Sequence, residues 1–139
     1  MMIKNFFVID TNCFISANLL KNSTNALVFD KILINGRIAL SSMILNEYAE
    51  VLYRKKLDRY INDEKRQNAL KFIAKNAILF TPVETVIECR DHSDNKFLEL
   101  ALACQASCII SGDADLLIMN PFRGIPILSP INFLNSFDF

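Results

Sequence analysis

Short, wholly apolar runs set between helical stretches constrain this chain most. Phe6-Phe7-Val8-Ile9 and Cys108-Ile109-Ile110 carry no polar position. A strand wet on one face alternates apolar and polar residues; a strand buried on both faces does not. Runs of this kind, separated by helices, imply a parallel sheet covered on both sides. The expected class is therefore α/β, a sandwich of helices around a central, mainly parallel sheet of about four to five strands.

The pass along the chain fills in this frame. Strands are expected at Asn5 to Ile9, Arg37 to Leu40, Ala77 to Phe80, Ser107 to Ile110 and Ile125 to Leu128. Helices are expected over Cys13 to Leu20, from a Ser23 or Thr24 cap to Leu33, and from a Ser41 or Ser42 cap to Lys56. Further helices follow over Asp63 to Asn76, Asp91 to Ala106, Ala114 to Met119 and Pro130 to Phe137. Asn35-Gly36 marks a turn, and Pro82 stops a strand. No linker or internal repeat interrupts the pattern. The charged stretch Arg54 to Arg66 is read as lying between helices. One domain spans 1–139, a length that hides roughly two-thirds of the unfolded surface.

Composition narrows the functional classes. Hydrophobic residues are 52% and charged residues 22%, so the chain is not disordered. Lys plus Arg and Asp plus Glu are 15 each, so no global field steers it to nucleic acid or membrane. No stretch approaches the roughly 18 apolar residues of a membrane span. The opening segment is too short for a signal peptide's apolar region, so a cytoplasmic location is expected. Cys13, Cys89, Cys104 and Cys108 form no C-x-x-C pair, and with one His they make no zinc motif. They read as reduced, small core residues. Gly36, Gly112 and Gly124 cannot make G-x-G-x-x-G, which excludes a dinucleotide-binding fold.

Ligands of open parallel sheets bind beyond the carboxyl ends of the strands. Asp10 directly follows the first apolar run, and Asp113 follows another after Ser111-Gly112. Each also fits a helix N-cap. Glu47 lies three residues after Ile44 and four before Val51, so it sits on the apolar stripe that Ile44, Tyr48 and Val51 define. A carboxylate there needs a partner or a path to water. Asp94 begins a helix, where Asp91 as N-cap and Asp94 in the first turn also make a good capping pattern. Four converging carboxylates repel unless cations neutralise them. Oxygen donors without His or Cys select Mg²⁺ or Mn²⁺. Asp115 is either a fifth member or a first-turn acid.

Four blocks, in this order, resemble the motifs of the PIN-domain family: Val8-Ile9-Asp10-Thr11-Asn12, the Ser42 to Tyr48 segment around Glu47, the Asp91 to Ala101 segment, and Ser111-Gly112-Asp113-Ala114-Asp115-Leu116-Leu117. The similarity runs from about Ile3 to Phe133, and the nearest branch is the VapC-like ribonuclease toxins of bacterial and archaeal toxin–antitoxin systems. The resemblance implies an α/β/α sandwich and an endoribonuclease cutting single-stranded or structured RNA. It implies Asp10, Glu47, Asp94 and Asp113 as catalytic residues around one or two Mg²⁺ or Mn²⁺ ions, with Asp115 as a secondary metal ligand. Thr11 and Ser111 take the neighbouring hydroxyl positions, and Asn12 supports Asp10. Lys96, Arg54-Lys55-Lys56 and Arg59 are the candidate cations for an RNA phosphate chain, and the Arg54-Lys55-Lys56 run also fits a solvated helix end. An antitoxin protein and a second copy of the chain are the implied partners. Phe133, Leu134, Phe137 and Phe139 either join a homodimer interface or cover the sheet.

Two other readings compete. Haloacid-dehalogenase-like phosphotransferases also place an Asp after the first strand, but their second acid two residues on is Asn12 here. Their basic residue in a separate motif has no match. A PIN fold kept only as an RNA-binding or regulatory module usually loses acids, and this chain keeps all four.

Overall fold

The computed structural model describes residues 5–139. Residues 1–4, where the expected domain and resemblance begin, lie outside the described part. Five parallel strands form the sheet: β1 (Phe6–Ile9), β2 (Arg37–Leu40), β3 (Ile78–Leu79), β4 (Cys108–Ile110) and β5 (Ile127–Leu128). Their spatial order is β3-β2-β1-β4-β5. The chain winds one way from β1 to β3 and then returns to the other side of β1. The order therefore reverses between β1 and β4, where doubly wound sheets open a ligand crevice.

The apolar runs are buried as their composition requires: Phe7, Val8, Cys108, Ile109 and Ile110 have no accessible surface. Val8 pairs with Ile109 and Ile9 with Ile110, so Asp10 and Ser111 leave the sheet side by side.

Helices fill the connections: α1 (Thr11–Leu19), α2 (Thr24–Asn35), α3 (Ser42–Leu52), α4 (Asp63–Asn76), α5 (Asn95–Cys104), α6 (Ala114–Leu117) and α7 (Pro130–Ser136). Short polar side chains cap them: Ser23, Ser41, Asn62 and Ser129 each accept an N–H from the first turn. Helix α3 ends at Leu52, short of the expected Lys56, and Lys55–Leu57 make a separate 3₁₀ turn. Likewise His92–Asp94 is 3₁₀ and the α-helix starts at Asn95. The stretch Arg54 to Arg66 runs from the end of α3 into α4 with most of its side chains exposed, as expected of a segment between helices. Arg66 is buried, donates to the Leu52 carbonyl at 2.6 Å and pairs with Asp58 at 2.9 Å, tying α4 to the end of α3.

The C-terminal aromatics pack on their own sheet. Phe7 meets Phe133 at 5.7 Å and Phe137 at 5.4 Å, and Phe133 is fully buried. All four cysteines are free and buried. Burial raises the thiols of Cys104 and Cys108 to about 12, as expected of inert core thiols. No described helix is long and apolar enough to cross a membrane.

Candidate metal centre

The crevice predicted by the strand order is a cleft lined by five acids: Asp10, Glu47, Asp91, Asp94 and Asp113. All four sequence-predicted catalytic acids are among them. Thr11, Asn12 and Arg54 share its wall.

Asp10 is fixed from both sides. Its Oδ1 accepts the Cys13 N–H at 2.9 Å as the N-cap of α1, and its Oδ2 accepts the Ser111 hydroxyl. The capping role and the cleft position therefore coexist in one side chain. Ser111, fully buried, also accepts the Asp113 N–H at 2.9 Å, which joins the ends of β1 and β4. Asp113 caps α6 by accepting the Asp115 N–H at 2.8 Å. Asn12 lines the cleft but makes no hydrogen bond to Asp10 among the described residues; Ser111 does that work.

Glu47 is on the inward stripe of α3, between buried Ile44 and Val51. Its neighbour Tyr48 stacks on Phe14 at 4.1 Å and donates to the Ile9 carbonyl, seating α3 against the end of β1. The partner that an inward carboxylate needs is double. Thr11 donates its hydroxyl to Oε2, and Lys96 pairs with Oε1 at 2.8 Å. Lys96 is only 13% exposed and also donates to the Ser93 carbonyl, so its charge is enclosed against Glu47 and not free at the rim. Arg54 is the cation on the cleft wall, held by Glu50 at 3.2 Å. Arg59 lies against the Tyr60 ring.

The closest gathering of acids includes one that sequence reasoning treated as a cap. Carboxylate oxygens of Asp91, Asp94 and Asp113 all lie within 4.8 Å of one another. Asp91 does cap the 3₁₀ turn, accepting the Ser93 N–H and hydroxyl at 3.0 and 2.7 Å, and these bonds hold its carboxyl below the usual range. The signal for its second role was the spacing of three that puts Asp91 and Asp94 on adjacent turns. Asp10 and Glu47 line the cleft outside that group of three. Asp115 turns away and pairs with Arg90 at 2.8 Å. His92 is exposed.

Asp94 carries the strain of the cluster. It is 9% exposed, and its Oδ2 is buried without a hydrogen-bond partner. Burial first, then Asp113 beside it, push its carboxyl up to about 7. A buried carboxylate with an unpartnered oxygen, grouped with two more carboxylates, suits a hard divalent cation, and the all-oxygen set fits Mg²⁺ or Mn²⁺.

Comparison with known proteins bears on the family and the fold. A family model described as the PIN domain matches residues 7–115. The uncharacterized protein MJ1680 of Methanocaldococcus jannaschii is 34% identical over 115 residues, which cover 79% of this chain and 72% of that protein. The crystal structure of PAE2754 from Pyrobaculum aerophilum aligns over 95% of this chain and 88% of its own, with a TM-score of 0.63 and 13% identity. VapBC2 from Rickettsia felis, solved bound to a DNA fragment from their promoter, aligns over 89% and 98%, with a TM-score of 0.57 and 13% identity. At such identity the two structures speak for the fold.

Proposed function

The chain belongs to the PIN-domain family, and we propose on that premise that it is a Mg²⁺- or Mn²⁺-dependent endoribonuclease, the toxin of a toxin–antitoxin pair. The observation that carries this reading is the buried, unpartnered Oδ2 of Asp94, one of three closely grouped carboxylates that line the cleft. The family match leaves the phosphotransferase alternative without support.

Asp94, Asp113 and Asp91 would hold the ion, with Asp10 and Glu47 completing the acidic wall. Asp115, paired with Arg90, would be the residue to hold a second ion. When bound, the ion supplies charge to the phosphodiester and acidity to the attacking water. The protein's own groups do the positioning. Ser111 fixes the Asp10 carboxylate and the Asp113 backbone together, and Thr11 and Lys96 fix Glu47. A bound cation would favour the ionised form of Asp94, whose proton burial and the neighbouring Asp113 hold in its absence. Arg54 meets the RNA phosphates at the rim.

The likeness in fold to VapBC2 supports an antitoxin partner. Exposed apolar side chains such as Leu20, Leu27 and Phe72 offer surface for that partner and for a second copy to cover. The proposed site of action is the cytoplasm. The test is cleavage of single-stranded RNA by the purified protein in Mn²⁺ and in Mg²⁺. Asp94→Asn and Asp113→Asn should fold, by circular dichroism, and lose cleavage. A wild type that binds Mn²⁺ and cuts no RNA would be a binding module instead.

A further inference from the structure

A second cavity is lined by Lys96, whose ion pair with Glu47 links it to the wall of the acidic cleft. It exists because β2 and β3 end together. Ser41 leaves β2 to cap α3, while the Phe80 N–H bonds the Leu40 carbonyl at 2.8 Å. The first turn of α3 and the Phe80-Thr81-Pro82 segment then stand apart beyond the sheet, and α5 closes the gap with Lys96 and Glu99.

The volume is about 180 Å³, below the roughly 300–1,000 Å³ of sites that take drug-sized ligands. It suits one small planar group. Its walls suit such a group as well. Phe80 is fixed edge-on against Phe6 at 5.1 Å, Met43 stands beside it 62% exposed, and Pro82 completes an apolar face. The polar lining excludes an anion. Lys96 is the one cation of the wall and is engaged by Glu47, while Glu99 contributes a negative charge. Glu99 is itself held in place, its Oε2 accepting the Val86 N–H at 2.9 Å.

We infer that this cavity receives the base next to the scissile phosphate of a single-stranded RNA, and that Glu99 selects bases bearing an amino group. The inference rests on the ribonuclease reading and names the part of the substrate that reading leaves open. A strand whose phosphate lies in the acidic cleft must put the adjoining nucleoside beside it, and this neighbouring cavity pairs an apolar face with one carboxylate. Unpaired bases stack on aromatic and apolar side chains. Adenine, cytosine and guanine present amino donors to a carboxylate, whereas uracil presents carbonyl acceptors on both sides of its one N–H.

Two arms test this separately from the ribonuclease reading. Short single-stranded RNAs differing in the base beside the cut are assayed with wild type, Thr81→Trp, which fills the cavity from an exposed position, and Glu99→Gln, which still accepts from Val86. Wild type should favour A, C and G over U by about tenfold in kcat/KM. Thr81→Trp should raise KM about tenfold with kcat little changed. Glu99→Gln should level the base preference. In the second arm, uncharged nucleosides are titrated while the Met43 methyl resonance is followed. Adenosine, cytidine and guanosine should shift it saturably, and the Thr81→Trp protein should show no shift. Cleavage by wild type with both variants unaltered in KM and preference overturns the inference and leaves the ribonuclease standing. No saturable Met43 shift with any nucleoside overturns it whatever happens to RNA.

Discussion

Ser111 donates its hydroxyl to Oδ2 of Asp10, a residue 101 positions earlier, and with the same oxygen accepts the N–H of Asp113. One buried hydroxyl thus registers two acids of the cleft. Ser111→Ala leaves both partners unsatisfied and should destabilise the fold by about 1–3 kcal/mol in urea titration. Losing the group that orients a ligand should also lower RNA cleavage by about 10–100-fold. A variant with wild-type stability and activity would deny the hydroxyl this role.

The raised carboxyl of Asp94 makes stability depend on pH in an unusual direction. The folded chain holds this proton to about 7, while an ordinary aspartate carboxyl, as in the unfolded chain, releases it near 3.8. Between these values the folded state binds more protons, so stability falls as pH rises. Metal-free protein should lose thermal stability from about pH 4 to pH 7, and Asp94→Asn should flatten that slope. Mn²⁺ must displace the proton, so its affinity should climb by up to about tenfold per pH unit below 7. Thermal melts across pH, with and without Mn²⁺, read both effects.

Lys96 and Arg54 should separate cleanly by experiment. Lys96→Met breaks an enclosed pair with Glu47 and should cost about 1.5–3 kcal/mol of stability, most of it recovered in the Lys96→Met/Glu47→Gln double variant. Arg54→Ala should leave stability nearly unchanged, because its pair with Glu50 is exposed. It should instead reduce the salt dependence of RNA binding by about one phosphate contact, a slope of roughly 0.7. Filter binding at several salt concentrations distinguishes the two.

The grouping of Asp91 with Asp94 and Asp113 predicts which acids matter to the ion. Mn²⁺ at 100 times its Kd should stabilise the wild type by about 2.7 kcal/mol. Asp91→Asn should diminish that gain at a fixed Mn²⁺ concentration, whereas Asp115→Asn should leave it close to wild type, since Arg90 already occupies Asp115. Equal losses in both variants would mean that the ion sits nearer α6 than the three close carboxylates imply.

The parts of this architecture written in local pattern were legible. Uninterrupted apolar runs gave the buried parallel strands, and Arg37–Leu40 is a strand with the bounds its flanking turn and Ser41 cap suggest. Glu47 stood out because a charge between Ile44 and Val51 breaks the helical stripe. What stayed hidden depends on distant packing. That Lys96 reaches Glu47 follows from how α5 crosses α3, and no spacing within either helix encodes it. Asp91 was masked by a sufficient local explanation, its cap on the 3₁₀ turn, which is true and incomplete. The premature end of α3 belongs with the buried Arg66, whose Nε takes the Leu52 carbonyl in place of a next helical turn.

The pairing of β1 with β4 has a consequence for timing. Asp10 is made early and Asp113 late, and only the Val8–Ile109 and Ile9–Ile110 register brings the chain ends that carry them to one cleft. Long-range strand pairing of this kind is among the slow steps of folding. On the ribosome, a nascent chain therefore carries its acids dispersed until the fourth strand has emerged and docked, so the acidic cleft is born with the finished fold and not before it.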